Sequence, residues 1–333
     1  MKGKHIISIT SRKATYHLEL ERKISLLKGN SGTGKSSLIR LISEYLEYGK
    51  QSGLKLSTDS NVSLTVMTNS ADWSEILSSA HDTVLFIDED VHYLYDESFQ
   101  RELWRADCYA VIVSRSGRFT ALPYSIFCIY GLVTVKKGTN TATTLYRLYE
   151  EKNERSNFDL VLTEDSNSGY EMAQFSFENS DVATAGGNSL VTAKLRGLGR
   201  AHDHVCVIVD GAAFGAFIEP TLKYAEIRGD TWVLAPESFE YVLLNFNEVK
   251  RHLSSDQGEL TRTYDFCDSS EYGSWEQYYE DLLKQVTEEV FGFTYSKRKL
   301  NQWFLNGNCR DQYIDMLYKC FVMRRTHGDN EAG

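Results

Sequence analysis

Short apolar runs alternate with amphipathic segments along the first half of the chain. The runs Lys23–Lys28 (KISLLK), Thr83–Ile87 (TVLFI) and Tyr109–Ser114 (YAVIVS) are almost wholly apolar, as buried parallel strands are. After Lys35, apolar residues recur at helical spacing, namely Leu38, Ile39, Leu41, Ile42, Tyr45 and Leu46. Strands that alternate with helices in this way predict an α/β domain with a doubly wound parallel sheet.

A polar, charged run at residues 150–157 (EEKNERSN) breaks this pattern and predicts a linker. A second alternation of strands and helices begins after it, with predicted strands at Phe158–Thr163, Val205–Val209 and Thr231–Leu234. We therefore predict a first domain at residues 1–150 and a second α/β domain at residues 158–250.

The remaining residues, 251–333, are predicted to form a helical C-terminal extension. Ser274–Gln277 has the pattern of a capping box, and it opens a predicted helix that continues to about Glu289. A second helix is predicted at Gln312–Met323, where apolar residues again form a stripe. Such stripes are typical of packing surfaces.

The first predicted strand and helix enclose a phosphate-binding motif. Residues 29–36 (GNSGTGKS) fit the pattern G-x-x-x-x-G-K-[ST] without a mismatch. Its glycines let backbone N–H groups turn around a polyphosphate, Lys35 reaches the outer phosphates, and the Ser36 hydroxyl can bind Mg²⁺. The predicted nucleotide-binding residues are Gly29, Asn30, Ser31, Gly32, Thr33, Gly34, Lys35, Ser36 and Ser37.

The run Thr83–Ile87 ends in the acidic residues Asp88, Glu89 and Asp90. Asp88 is expected to hold Mg²⁺ through water, which makes Ser36 and Asp88 the predicted metal ligands of this half. Glu89 is placed to polarise an attacking water molecule. A buried strand that happens to end in acidic residues is the alternative, and the nearby phosphate-loop pattern favours the catalytic interpretation.

Together these motifs resemble the P-loop NTPases, specifically the branch with a glutamate directly after the Walker B aspartate, over about the first 150 residues. The resemblance implies catalytic roles for Lys35 and Glu89. It also implies an inserted strand between the two motifs, which we predict at Ser63–Thr68. A polar or basic residue at the end of the run YAVIVS resembles a sensor that contacts the γ-phosphate. Either Ser114 or Arg115 fits that role, and we count Arg115 among the catalytic candidates.

ATP, with Mg²⁺, is the expected nucleotide. The Asn-Lys-x-Asp motif of small GTPases does not follow the phosphate loop, and the ABC-type signature Leu-Ser-Gly-Gly-Gln is missing between the Walker motifs. A P-loop kinase is a weaker alternative, because Glu89 suits water activation and only Arg115 and Arg118 are obvious candidates to close over the phosphates.

The second half places acidic and glycine-rich residues near its predicted strand ends. Glu164 follows one strand, Gly186 and Gly187 follow the next, and Asp210 follows the run VCVIV. This order resembles a TOPRIM domain, the metal-dependent fold of topoisomerases, primases and OLD-family nucleases, which are often fused to ATPases. The resemblance implies that Glu164 and Asp210 bind Mg²⁺, since a hard cation needs oxygen ligands.

Three positions depart from the TOPRIM pattern. Asp165 stands where a glycine is usual, Ser168 where an aspartate is expected, and Ala212 where the second acid of Asp-x-Asp would be. With fewer ligands, the site either holds one weakly bound metal, borrows Asp165 or Glu219, or is catalytically inactive. A plain α/β domain with acidic strand ends is a further alternative.

Two classes of function follow. The first is a Mg²⁺-dependent ATPase that controls a TOPRIM-like effector domain, with nucleic acid as a candidate partner, as in bacterial genome-defence systems. The second is a nucleotide-dependent regulatory or assembly module whose C-terminal domain is inactive. Because the resembled ATPases often complete their sites across a subunit interface, a homo-oligomer or a partner protein is expected.

Composition and charge limit the partners and the cellular location that we expect. The 333 residues have a formal net charge of −10, which argues against broad, non-specific coating of nucleic acid. No apolar run reaches the roughly 18 residues of a membrane span, so we expect a cytoplasmic protein without a membrane partner. The best local basic cluster is Lys297–Lys299, near Trp303, for which a solvated helix end is the alternative to nucleic-acid contact.

The cysteines and histidines offer one further metal candidate. His202, His204 and Cys206 alternate and are all zinc-ligand types, although the two histidines are predicted to lie in the loop before the strand. The six cysteines contain no C-x-x-C pair, so buried thiols are predicted.

Overall fold

The computed structural model describes residues 1–29, 32–58 and 62–325. The chain divides into two compact units. The first comprises residues 1–148 and 262–274, and the second comprises residues 149–261 and the described residues from 275 onward.

The first unit is built on one large mixed sheet. Its strands are β1 His5–Thr10, β2 Ala14–Leu20, β3 Ile24–Lys28, β4 Lys55–Thr58, β5 Ser63–Met67, β6 Thr83–Ile87, β7 Cys108–Ser114, β8 Ile129–Lys137 and β9 Asn140–Arg147. Its α-helices are α1 Lys35–Tyr48, α2 Trp73–Ser79 and α3 Glu97–Arg105. Within the described ranges the strand order is β4-β1-β2-β9-β8-β3-β7-β6-β5. Strands β3, β7, β6 and β5 run parallel to one another.

Burial explains why the central strands read as continuous apolar runs. Every residue of β6 and β7 is buried, because both strands lie in the interior of the sheet. Helix α1 contributes Leu38, Leu41 and Ile42 to the same core. Asp72 begins α2, with its carboxylate accepting hydrogen bonds from the backbone N–H groups of Ser74 and Glu75.

The second unit has its own sheet. Its strands are β10 Tyr149–Lys152, β11 Leu160–Thr163, β12 Asp181–Thr184, β13 Val205–Ile208, β14 Thr231–Leu234 and β15 Phe321–Arg324. Its α-helices are α4 Ser168–Ser176, α5 Val191–Leu198, α6 Ile218–Arg228, α7 Phe239–Leu244, α8 Asn247–Lys250, α9 Gly258–Thr261, α10 Trp275–Phe291 and α11 Gly307–Leu317. The strand order in the described part is β10-β15-β14-β13-β11-β12. The four strands β12, β11, β13 and β14 are parallel.

The prediction of an α/β fold is confirmed at the level of the class. The first sheet, predicted as a doubly wound parallel sheet, is mixed, because β1, β2 and β4 and the pair β8 and β9 contain antiparallel pairings. Three local predictions are wrong. Strand β5, predicted as the strand inserted between the two motif strands, lies at the edge of the sheet beyond β6, and β7 lies between β3 and β6. The linker at residues 150–157 begins inside β10, and the helix predicted at Gln312–Met323 ends at Leu317. Phe321–Arg324 instead forms β15, which pairs antiparallel with β10. A partner more than 150 positions away in sequence leaves no trace in local periodicity.

Among the described residues, no helix combines the length and apolar character that a membrane span requires.

Candidate functional sites

The predicted phosphate loop connects β3 to the start of α1. Gly32 and Gly34 adopt positive φ angles of 86° and 93°, a region that side-chain-bearing residues rarely enter. The Lys35 ammonium bends back over the loop and donates hydrogen bonds to the Gly29 carbonyl oxygen at 2.7 Å and to Thr33 Oγ1 at 2.9 Å. Asn30 and Ser31 lie outside the described residues.

Tyr16, on β2, fixes the end of this loop. Its hydroxyl donates a hydrogen bond to the Gly34 carbonyl oxygen at 3.1 Å. A Cβ atom at Gly34 would lie only 2.9 Å from that hydroxyl, so the position requires glycine for both its backbone angle and its surroundings. Burial raises the pKa of Tyr16, and a hydrogen bond with Ser37 opposes that shift. Ser36 and Ser37 lie in the first turn of α1.

The acidic residues after β6 lie near this loop. Burial raises the pKa of Asp88 despite a hydrogen bond of 2.7 Å from the Glu89 N–H group to its carboxylate. Burial lowers the pKa of Lys35, and the nearby charges of Glu89 and Asp88 oppose that shift. Lys35 is therefore within electrostatic range of both acids.

Arg115, the residue after β7, binds Glu89 directly. Its Nε atom lies 2.9 Å from Glu89 Oε1, and its backbone N–H group donates to Glu89 Oε2 at 3.0 Å. Strand β7 lies between β3 and β6, so the carboxyl ends of all three parallel strands meet at one edge of the sheet. The structure thus brings together Lys35, Asp88, Glu89 and Arg115.

In the second unit, Glu164 and Asp210 follow the adjacent parallel strands β11 and β13. Glu164 Oε2 accepts a hydrogen bond of 3.0 Å from the Asp210 N–H group. Asp210 Oδ1 accepts one of 3.0 Å from the N–H group of Phe239, at the start of α7. The two predicted metal ligands are therefore neighbours, at the point where strand order reverses and open α/β sheets bind ligands.

Both carboxyls are strongly perturbed. Burial raises the pKa of Glu164 to about 7, against the hydrogen bond from Asp210. Burial also raises the pKa of Asp210 well above its ordinary value, and the neighbouring Glu276, Glu164 and Glu240 add to the shift. Groups perturbed in this way cluster at functional sites.

Two residues of this site were missed by the sequence analysis. A cavity of about 30 Å³ is lined by Glu164 and Asp210 together with Glu240 and Lys297. Glu240 stands six positions beyond the end of β14, in a segment to which the sequence pattern assigned no functional role. Lys297 was assigned to a basic surface cluster, yet its ammonium contacts Glu276 and lies 3.9 Å from Glu240 Oε1.

The other candidates do not converge on a metal. His202 bonds through Nε2 to Asp181 at 3.0 Å and through Nδ1 to the Leu198 carbonyl oxygen, while Cys206 is fully buried within β13. The Ser168 hydroxyl is buried against the Tyr295 hydroxyl at 3.0 Å. Across the described ranges, no group of three or more His, Cys, Asp or Glu side chains is arranged to hold a metal ion.

Comparison of the chain with protein-family models gives no match, and comparison with curated proteins gives no significant match, so its function has to be inferred from the residues above.

Proposed function

We propose that this chain is a Mg²⁺-dependent P-loop ATPase whose first unit controls a TOPRIM-like second unit. The observation that carries the proposal is the meeting of a glycine-rich loop, Lys35, Asp88, Glu89 and Arg115 at one edge of a parallel sheet. Features that phosphoryl transfer requires come from three separate segments of the sequence and lie in one region of the unit.

The strand order supports the P-loop class and also the branch with a glutamate directly after the Walker B aspartate. In the resembled ATPases with a glutamate after the Walker B aspartate, one strand separates the two motif strands. Here β7 lies between β3 and β6, whereas β5, predicted from sequence as the inserted strand, lies at the sheet edge beyond β6.

In the first unit, some residues would bind ATP and Mg²⁺ and others would act in hydrolysis. The loop amides and the Lys35 ammonium would hold the phosphates of ATP, with Ser37 and Tyr16 supporting the loop. Ser36 and Asp88 would hold Mg²⁺, which neutralises developing charge on the phosphate oxygens. Glu89 would orient and deprotonate water, and Arg115 would stabilise the transferring phosphoryl group.

In the second unit, Glu164 and Asp210 would bind a divalent cation, and nucleic acid is the proposed substrate, in bacterial genome defence. The buried, unpaired Oε2 atom of Glu240 at the same cavity supports a cation there. Lys297 contacts Glu276, so its ammonium is not directed toward a nucleic-acid phosphate. Arg298 and Lys299 are exposed and would make that contact instead. We place the protein in the cytoplasm, as a homo-oligomer or with a protein partner.

A second candidate function is a nucleotide-dependent regulatory module with an inactive second unit. Two observations favour it. The Ser168 side chain, at a position where TOPRIM has an acid, is buried against Tyr295, and Ala212 supplies no carboxylate at all.

The test of the proposed ATPase is nucleotide binding by calorimetry, with ATP and Mg²⁺. Lys35→Ala should weaken ATP binding at least about tenfold, because a charge-assisted contact to phosphate is lost. Lys50→Ala removes an exposed lysine of the same unit and should bind as the parent does. A parent protein that takes up no ATP, while its thermal unfolding shows it to be folded, would overturn the proposal.

A further inference from the structure

The cavity at the carboxyl ends of β11, β13 and β14 is lined by more acidic side chains than basic ones. Four carboxyl groups line it, those of Glu164, Asp165, Asp210 and Glu240. Glu276 adds a fifth through its contact with Lys297. Lys297 is the one basic residue of the lining among the described residues. Buried carboxylates in such excess require protons or another cation.

Glu240 shows where the charge is least compensated. It is 0% exposed, and its Oε1 atom accepts a hydrogen bond of 3.0 Å from the Tyr295 hydroxyl. Its Oε2 atom is buried without a hydrogen-bond partner. Burial raises the pKa of Glu240 to about 7, against the attraction of Lys297. A buried carboxylate oxygen that has no hydrogen-bond partner and faces a polar cavity is suited to bind a cation.

The backbone explains how Glu240 reaches the two predicted ligands. The Gly211 and Ala212 N–H groups donate to the carbonyl oxygens of Pro236 and Glu237, at 2.7 Å and 2.8 Å. These bonds join the loop after β13 to the loop after β14. The turn that carries Asp210 therefore lies against the start of α7, the helix that carries Glu240.

The acids around Lys297 favour the charged form of its side chain. Burial disfavours its charge, but the attraction of Glu240, Glu276 and Asp210 outweighs burial and raises its pKa. The backbone N–H group of Ser168 donates to the Lys297 carbonyl oxygen at 3.1 Å, which fixes the segment against α4. The cavity of about 30 Å³ leaves room for one or two water-sized particles beside the ammonium.

We propose that Glu164, Asp210 and Glu240 form a site for one divalent cation of the Mg²⁺ and Mn²⁺ class, in which the Lys297 ammonium takes the place of a second cation. This inference rests on the metal-binding role of the second unit in the proposed function, and it specifies the third ligand and the stoichiometry. The Lys297 ammonium contacts Glu276 and lies 3.9 Å from Glu240 Oε1, so it occupies one side of the carboxylate cluster. Among the described residues these carboxylates are not already arranged as a metal group, so the three ligands would draw together when the cation binds.

The experiment is a titration of the full chain with Mn²⁺ alone, without nucleotide, followed by calorimetry and by the electron paramagnetic resonance of free Mn²⁺. The parent should bind a single Mn²⁺ ion. Glu240→Gln should weaken binding at least about tenfold, because it removes a ligand charge and keeps the size of the side chain. Glu288→Gln, an exposed acid on α10, is the matched control and should bind as the parent does.

Lys297→Met tests the second half of the inference. Without the ammonium, the cluster should bind Mn²⁺ at least about tenfold more tightly or take up a second ion. Unchanged affinity and stoichiometry would refute the role of Lys297. Equal binding by Glu240→Gln and the parent, or no binding by the folded parent, would refute the site.

ATP binding in the same preparations is measured separately and depends on Lys35 in the first unit. Loss of Mn²⁺ binding with intact ATP binding therefore rejects the cation site alone, and the converse result rejects the ATPase alone. Thermal unfolding in chelator shows whether each variant is folded, and added Mn²⁺ should raise the Tm of the parent more than that of Glu240→Gln.

Discussion

Arg115 holds both carboxylate oxygens of Glu89, one through its Nε atom at 2.9 Å and the other through its backbone N–H group at 3.0 Å. The hydrogen bonds found among the described residues leave the two terminal nitrogens of the guanidinium for other acceptors. One side chain therefore orients the proposed base and presents donors that a γ-phosphate would accept. In the proposed mechanism, Arg115 would both sense the γ-phosphate and position Glu89.

Replacing Arg115 should therefore slow turnover more than it weakens binding. In Arg115→Ala, Glu89 keeps the hydrogen bond from the backbone N–H group of residue 115 but loses the guanidinium contact, and the transferring phosphoryl group loses a cation, so we expect kcat for ATP to fall roughly 10- to 1,000-fold. The measurement is steady-state phosphate release. Arg118→Ala removes an exposed arginine of the same loop and serves as the control. If Arg118→Ala lowers kcat as much as Arg115→Ala does, the effect comes from positive charge near the loop in general and not from Arg115 itself.

Glu89→Gln should separate binding from hydrolysis. The amide keeps an oxygen that can accept from the Arg115 N–H group, but it cannot take a proton from water. We expect ATP affinity near that of the parent and a rate lower by on the order of 100-fold or more. Binding by calorimetry and single-turnover hydrolysis report the two effects separately. Hydrolysis at the parental rate would remove Glu89 from the mechanism.

Gly34→Ala should damage the phosphate loop for two distinct reasons. Its φ of 93° is unfavourable for alanine by about 1–2 kcal/mol, and the new Cβ atom would meet the Tyr16 hydroxyl at 2.9 Å. We expect ATP binding to weaken by about tenfold. Adding Tyr16→Phe removes the hydroxyl and should restore part of the loss. If the double variant binds no better than Gly34→Ala, backbone strain alone accounts for the effect.

The sequence predicts the elements of the first site better than the partners of the second. The strands β3, β6 and β7 and the helix α1 follow from continuous or periodic apolar runs, and Lys35, Asp88 and Glu89 follow from short motifs. Their meeting at one edge requires only that parallel strands share the direction of their ends.

The second site depends on pairings that no local pattern encodes. Glu240 and Lys297 reach Glu164 through hydrogen bonds between loops and through α4, none of which has a spacing rule. The return of residues 262–274 to the first unit was missed for the same reason. There, Lys23 donates a hydrogen bond to the Ser269 carbonyl oxygen, 246 positions further along the chain.

His202 should give the second unit a pH-dependent stability. The hydrogen bond with Asp181, followed by that with the Leu198 carbonyl oxygen, raises its pKa above the ordinary 6.5. The folded state thus holds the proton more tightly than the unfolded state. Protonated His202 therefore stabilises the folded state. This stabilisation is present in full below pH 6.5 and is lost as the pH rises through the raised pKa of His202. Because Asp181 is largely exposed, we expect less than about 1 kcal/mol.

Urea unfolding at about pH 6 and about pH 8 measures this contribution within the range where histidine titrates. His202→Gln should reduce the difference in free energy of unfolding between the two conditions. His252→Gln, an exposed histidine of the same unit, should leave that difference as it is in the parent. An unchanged difference in His202→Gln would assign the pH dependence to other groups.

A nicking assay on nucleic acid distinguishes a second unit that acts as a nuclease from one that is inactive. If the unit is a nuclease, Mg²⁺-dependent nicking of supercoiled DNA or of RNA should be lost in Glu164→Gln and in Asp210→Asn. Both changes remove charge but keep an oxygen that can accept the backbone hydrogen bonds from Asp210 and Phe239, so folding should be preserved. Nicking that persists in both variants would place the metal site elsewhere. A parent that hydrolyses ATP but nicks neither substrate would favour the regulatory module, since Ala212 and Ser168 then mark a lost activity.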